Sequence, residues 1–111
     1  MTRAADARRL AELTRLAEAL RDRDLARLAA AGKAVHALDR HLAALDQPRP
    51  APTDVVEALA QHRYEGWADA RRRLLLPERD RLERARQDAA EQARQSFGRA
   101  MALRRIGDQL S

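Results

Sequence analysis

Leucine returns about every three and a half residues along most of this chain, and three prolines interrupt the pattern once. The interruption, Asp46-Gln47-Pro48-Arg49-Pro50-Ala51-Pro52-Thr53, cannot lie inside a helix. Each proline removes a backbone donor and pushes the residue before it out of the helical region. Before the break, Leu10, Leu13, Leu16, Leu20, Leu25, Leu28, Val35, Leu38, Leu42 and Leu45 form a heptad-like seam with one slip around Arg21–Asp24. After it, Thr53 or Asp54 suits a helix N-cap, and Asp54 with Glu57 resembles a capping box. A second apolar series runs through Val56, Leu59, Trp67, Ala70 and Leu74, then Leu75, Leu82, Ala89, Ser96, Leu103 and Leu110 at seven-residue spacing.

Neither stripe can be buried by one helix alone, so the two must pack against each other. The expected fold is all-α: an antiparallel two-helix coiled-coil hairpin. Its first helix covers about 3–46, its turn 47–53 and its second, longer helix about 54–109. At 1.5 Å per residue these helices are roughly 60–65 Å and roughly 85 Å long. Composition agrees. Half of the 45% hydrophobic content is alanine, charged residues make up 35%, and β-branched residues are scarce, which favours long helices. Folding the hairpin about residue 50 sets Leu42 near Leu59, Val35 near Trp67 and Gly32 near Ala70. Gly32 is then either a close approach of two backbones or a point where the helix is weakened by ~1 kcal/mol. Pro77 either opens a third helix or kinks one continuous helix. The Leu75–Leu82 heptad crosses it without a slip, which favours the kink.

Chemistry of the catalytic kinds is missing from the pattern. Cysteine is absent, which excludes a disulfide framework and a thiolate nucleophile. His36 and His41 stand about 140° apart around a helix and cannot share a metal, and His62 is isolated. The four glycines are scattered singly, so no phosphate loop exists. A narrow hairpin also lacks a concave pocket in which to shield a reaction. The expectation is a non-enzyme without cofactor or metal. No signal-peptide core begins the chain and no stretch approaches 18 uncharged apolar residues, so a cytoplasmic protein is expected.

The net charge of +5 comes almost entirely from arginine. Arg72, Arg79 and Arg86 form a basic line beside the leucine seam, able to steer an acidic protein partner or to meet phosphates. Neighbouring acids argue against nucleic acid. Asp69, Glu78, Asp80 and Glu83 each precede an arginine by three or four residues, the spacing of helical ion pairs. Because the second helix is longer, the segment FGRAMALRRIGDQL is expected to project beyond the first. Phe97, Met101, Leu103, Ile106 and Leu110 would then be uncovered, as a partner surface or as a homodimer contact.

The ladder from Leu10 to Leu45 and the heptad line from Leu75 to Leu110, ending in Phe97-Gly98-Arg99-Ala100-Met101-Ala102-Leu103, resemble the bacterial flagellar FliJ family and its injectisome counterpart, the YscO family. The resemblance implies an antiparallel coiled coil similar to a rotary-ATPase stalk. It also implies engagement of a hexameric export ATPase and an export-gate protein. The sequence therefore leads to a helical adaptor or stalk in type III protein export. A basic nucleic-acid-associated helical protein and a structural homodimeric four-helix bundle stand as alternatives.

Overall fold

The computed structural model of the chain describes residues 2–110. Two helices, α1 (Arg3–Leu45) and α2 (Val55–Leu110), pack side by side as an all-α hairpin. The rod measures 87 × 20 × 13 Å with a radius of gyration of 25.0 Å, about twice the ~13 Å of a compact domain of similar size. Local chemistry sets the helix starts. The Thr2 hydroxyl accepts from the Ala5 N–H at 3.3 Å and caps α1. At α2, Asp54 Oδ1 accepts from the Glu57 N–H at 2.7 Å, while the Glu57 carboxylate reaches back to the Thr53 N–H at 2.8 Å. This reciprocal pair is a capping box, and the Thr53 N–H, followed by the Thr53 hydroxyl, holds the Glu57 carboxyl below its ordinary pKa.

Pro77 does not divide α2, which is helical from Val55 to Leu110. Pro77 is exposed, on the face turned away from α1, where the carbonyl it leaves unbonded can turn to water. The 84 Å that 56 residues require at 1.5 Å each fills most of the length of a rod that is 87 Å long and only 20 × 13 Å across, so the kink expected at Pro77 is slight.

The packing seam has no slip. Taking Leu10 as heptad position d, the a and d positions of α1 are Leu10, Thr14, Ala17, Arg21, Asp24, Leu28, Ala31, Val35, Leu38, Leu42 and Leu45, and all of them are buried or half-buried. Leu13, Leu16 and Leu25, expected in the seam, lie outside it and are 53%, 58% and 44% exposed. The α2 seam runs from Ala68 through Arg72, Leu75, Arg79, Leu82, Arg86, Ala89, Ala93, Ser96, Ala100 and Leu103 to Gly107.

The register also differs from a fold about residue 50. Gly107 faces Leu10, since a Cβ on Gly107 would lie 3.8 Å from Leu10 Cδ2. At the other end Arg72 Nη2 donates to the Leu45 carbonyl at 2.8 Å. Between these anchors the same register sets Leu28 against Ala89, Val35 against Leu82 and Leu42 against Leu75. Trp67 is left 55% exposed, and a Cβ on Gly32 would meet nothing within 4 Å. Gly32 therefore marks no close approach of backbones.

The cause is the connector. Residues 46–54 do not turn tightly. They climb alongside α2 from the level of Arg72 to the start of the helix at Val55, a rise of about 25 Å at 1.5 Å per residue. Nine residues of extended chain span at most about 30 Å, and alternating prolines favour extended backbone. Arg49 stacks on the Tyr64 ring at 3.4 Å and Asp46 bonds Arg72 at 2.7 Å, which tie the connector down. The extra length of α2 is thus taken up at the connector end of the rod.

The core is thin. Among the described residues Val35 and Leu38 are the large side chains under 9% exposed, the other buried apolar residues are alanines, and no large side chain is fully buried. Full burial of a valine or leucine contributes ~1.5–3 kcal/mol, so few seam positions contribute at that scale.

Candidate protein-interaction surface

The C-terminal segment does not project. Arg104 Nε donates to Glu18 at 3.2 Å, Gly107 touches the Leu10 level, and Leu110 shares a shallow groove with Arg3, Ala4 and Ala7. The residues expected on one bare end are instead divided. Leu103 is half-buried in the seam. Phe97 and Met101 lie on one flank of the rod, Ile106 on the other, and Leu110 at the C-terminal end of α2. What projects is the first part of α2, where Val55, Val56 and Leu59 are 75%, 76% and 55% exposed.

The arginine line is occupied within the chain. Arg72 bonds Asp46 at 2.7 Å and Asp69 at 2.6 Å. Arg79 bonds Asp39 at 2.8 Å, and Arg86 bonds Glu83 at 2.5 Å. The Arg79 bond is the main reason that the Asp39 carboxyl titrates below its ordinary value and Arg79 above its own. These three arginines occupy successive a positions of α2. Their aliphatic stems line the seam while their heads reach its rim. Basic steering by Arg72, Arg79 and Arg86 thus starts from groups already paired. The neighbouring Arg81 is likewise held by Glu78.

The seam also holds a polar layer. Asp24 and Ser96 are 4% and 6% exposed, and the Ser96 hydroxyl donates to Asp24. Asp24 also accepts from Arg23 at 3.1 Å. The Ser96 bond is the largest influence holding the Asp24 carboxyl below its ordinary pKa, against the opposing effect of burial. A buried polar pair of this kind satisfies its partners only in one register. Sequence reading places Ser96 on the seam but gives Asp24 no role, because its partner lies on the other helix.

The two flanks of the rod are unlike. In an antiparallel pair the e positions of both helices share one side and the g positions the other, as the Glu18–Arg104 pair confirms for e. The two cross-helix ion pairs among the described residues, Asp39–Arg79 and Glu18–Arg104, and the connector pair Asp46–Arg72 all draw an e position of the α1 heptad and lie on that side. Leu25 and Phe97 form a small apolar island there, one heptad inward from Glu18 and Arg104. The opposite flank has no cross-helix ion pair among the described residues. It carries Leu13, Leu16, Leu20 and Ile106 toward the free ends, alanines along the second half of α1, and Trp67 and Leu74 toward the connector.

No group of three or more His, Asp or Glu side chains able to hold a metal occurs among the described residues, and no helix is long and apolar enough to cross a membrane. The grooves are open and lie along the rod. One is lined by Leu10, Thr14, Leu103 and Gly107 at the free end, and another by the connector with Gln61, Tyr64 and Arg72. In comparisons with known proteins, no family, no curated protein and no solved structure matches the chain.

Proposed function

We infer that this chain is a non-enzymatic helical adaptor or stalk that presents the projecting start of α2 to a protein partner. The observation that carries the reading is the projecting end itself. Over its first four turns α2 has no α1 beside it and is covered on one side only, by the connector. Val55, Val56 and Leu59 stand free in water. Apolar side chains on a projecting helix end are the anchors that helix-in-groove recognition uses. An 87 Å rod also suits a part that holds two bodies at a set distance.

The resemblance to the FliJ and YscO stalk proteins supplies the first partners to try, a hexameric type III export ATPase and an export-gate protein, in flagellar or injectisome assemblies of the cytoplasm. The test is a nuclease-treated pull-down from the native cells at physiological salt, with the unaltered chain and with Val56→Glu/Leu59→Glu as baits. The reading expects a discrete partner on the unaltered chain and its loss from the variant, with an unchanged melting temperature. A partner retained by the variant would overturn the assignment of this end. Material lost on nuclease treatment would favour the nucleic-acid alternative.

A further inference from the structure

We propose that the flank without cross-helix ion pairs among the described residues is a dimer interface, on which a second copy of this chain lies antiparallel to the first and completes a four-helix bundle. The inference goes beyond the adaptor reading. It uses a different face of the rod and leaves both projecting ends free at opposite ends of the dimer.

The first support is the division of charge. Cross-helix ion pairs suit a face that stays in water, and here they are confined to one side. The other side has none among the described residues: Glu78 and Arg81 there pair within one helix, and leucine and alanine fill most of its α1 positions although they are exposed or half-buried in the single chain. A thin core gives the hairpin a physical need for such a cover: without one, leucines half or more exposed contribute little to folding.

The second support is shape. Near the free ends α1 offers large side chains, Leu13, Leu16 and Leu20. One to two dozen residues further along, the same helical face offers Ala30, Ala34, Ala37 and Ala44, with a shallow depression at Ala37, His41 and Ala44. Turning a second copy end for end about an axis near Arg27 lays α1 on α1 and α2 on α2. Leu16 of each copy then falls at the level of Ala37 of the other, and Leu20 at that of Ala34. Leucines enter the space that alanines leave, which is how packed helices interdigitate.

The third support is that the same axis also matches apolar residues on α2. The register that sets Gly107 opposite Leu10 places the axis near residue 90 of α2, and the rotation brings Leu74 of each copy to the level of Ile106 of the other. Both residues face this flank, and they are 68% and 45% exposed in the single chain. Arg23 and Arg27 come near the axis, but both are drawn inward to the buried Asp24, at 3.1 and 4.0 Å. The area suffices. From Leu13 to Ala44 the flank runs roughly 45 Å on a rod 20 Å wide. The footprint is on the order of 900 Å² per copy, or about 1,800 Å² in all, within the range of stable interfaces.

The test uses the full chain. Light scattering on a sizing column across a series of concentrations should give twice the 12.5 kDa of one chain, and Leu16→Glu should give a helical monomer. Leu16 is 58% exposed, so its replacement leaves the hairpin itself intact. Ile106→Lys should weaken the dimer by about tenfold, by setting a charge against Leu74 of the other copy. Ile106→Lys with Leu74→Glu should restore it. A single-chain mass for the unaltered protein at every concentration overturns the dimer and leaves the adaptor reading standing. A dimer that Leu16→Glu does not disturb, or that Leu74→Glu does not restore in the Ile106→Lys variant, overturns this face and this orientation.

Discussion

Replacing glycine by alanine at Gly32 and Gly98 should stabilise the hairpin, and the sign of the effect discriminates between two packings. Both residues lie inside helices, and a Cβ added at either would meet nothing within 4 Å. Nothing in the native structure then opposes the change. The gain is the lower backbone entropy of alanine in the unfolded chain, about 0.5–1 kcal/mol per site in a helix interior. The two sites lie far apart, Gly32 half-buried at the rim of the seam and Gly98 exposed, so the effects should add to about 1–2 kcal/mol. For a domain of this size that corresponds to a rise of roughly 4–8 °C in melting temperature. Gly66 serves as the internal comparison. It sits in the part of α2 that α1 does not reach, so Gly66→Ala should raise helical signal while moving the main transition little. Thermal and urea denaturation followed by circular dichroism would measure all three. A loss of stability at Gly32 would refute the reasoning, because it requires a neighbour close enough for one methyl group to clash. That is the situation expected if Gly32 lay against Ala70 beside Trp67.

Three further outcomes follow from the geometry. Leu38→Ala, at one of the two large buried seam positions, should cost ~2–4 kcal/mol in urea unfolding, whereas Phe97→Ala, half exposed beside Leu25, should cost less than about 1 kcal/mol; equal losses would contradict the seam described. Deleting Arg49 to Pro52 leaves five connector residues with a reach of at most about 18 Å for a rise of about 25 Å. The deletion should unravel more than a turn of helix and break the Asp46–Arg72 bond, and an unchanged melting curve would mean that the connector is slack. Carboxyls held low by bonds, Asp24 through Ser96, Asp39 through Arg79 and Glu57 through Thr53, favour the fold while ionised. Their contribution is complete above the unfolded value of about 4 and is lost as pH falls through their lower folded values. The melting temperature should therefore be level down to about pH 5 and decline in stronger acid; a rise there would contradict these bonds.

Much of the fold is legible in the residues, and the part that is not has a physical cause. Proline and capping chemistry act locally, so the ends of both helices and the break between them can be read from Pro48, Pro50, Pro52, Asp54 and Glu57. The passage of one helix through Pro77 is also readable from the unbroken Leu75–Leu82 spacing. Register is a property of two helices at once. Reading leucines alone puts Leu13 and Leu16 in the seam and demands a slip near Arg21, whereas carrying the phase of Leu28, Val35 and Leu42 backward by sevens gives Arg21 and Thr14 with no slip. That signal is present but faint, because it runs through alanine, threonine, arginine and aspartate. The prolines are likewise ambiguous: they forbid a helix, but an extended strut and a tight turn satisfy them equally. Choosing the strut slides α2 along α1, which removes the C-terminal projection, creates the one at Val55, and decides that Arg72 and Arg79 meet Asp46 and Asp39. The contrast between the two flanks becomes visible only once that register is known.

The absence of cysteine permits a direct measurement of register. Two double variants, Glu18→Cys with Arg104→Cys and Glu18→Cys with Glu83→Cys, would be treated with a short bifunctional thiol reagent in dilute solution, and the chain mapped for internal links. The first pair replaces a contact across the helices and should link efficiently. In the second, the partner sits about 30 Å further along the rod and should not link. Linking of Glu83→Cys, with failure of Arg104→Cys, would contradict the register, the extended connector and the two-flank surface together.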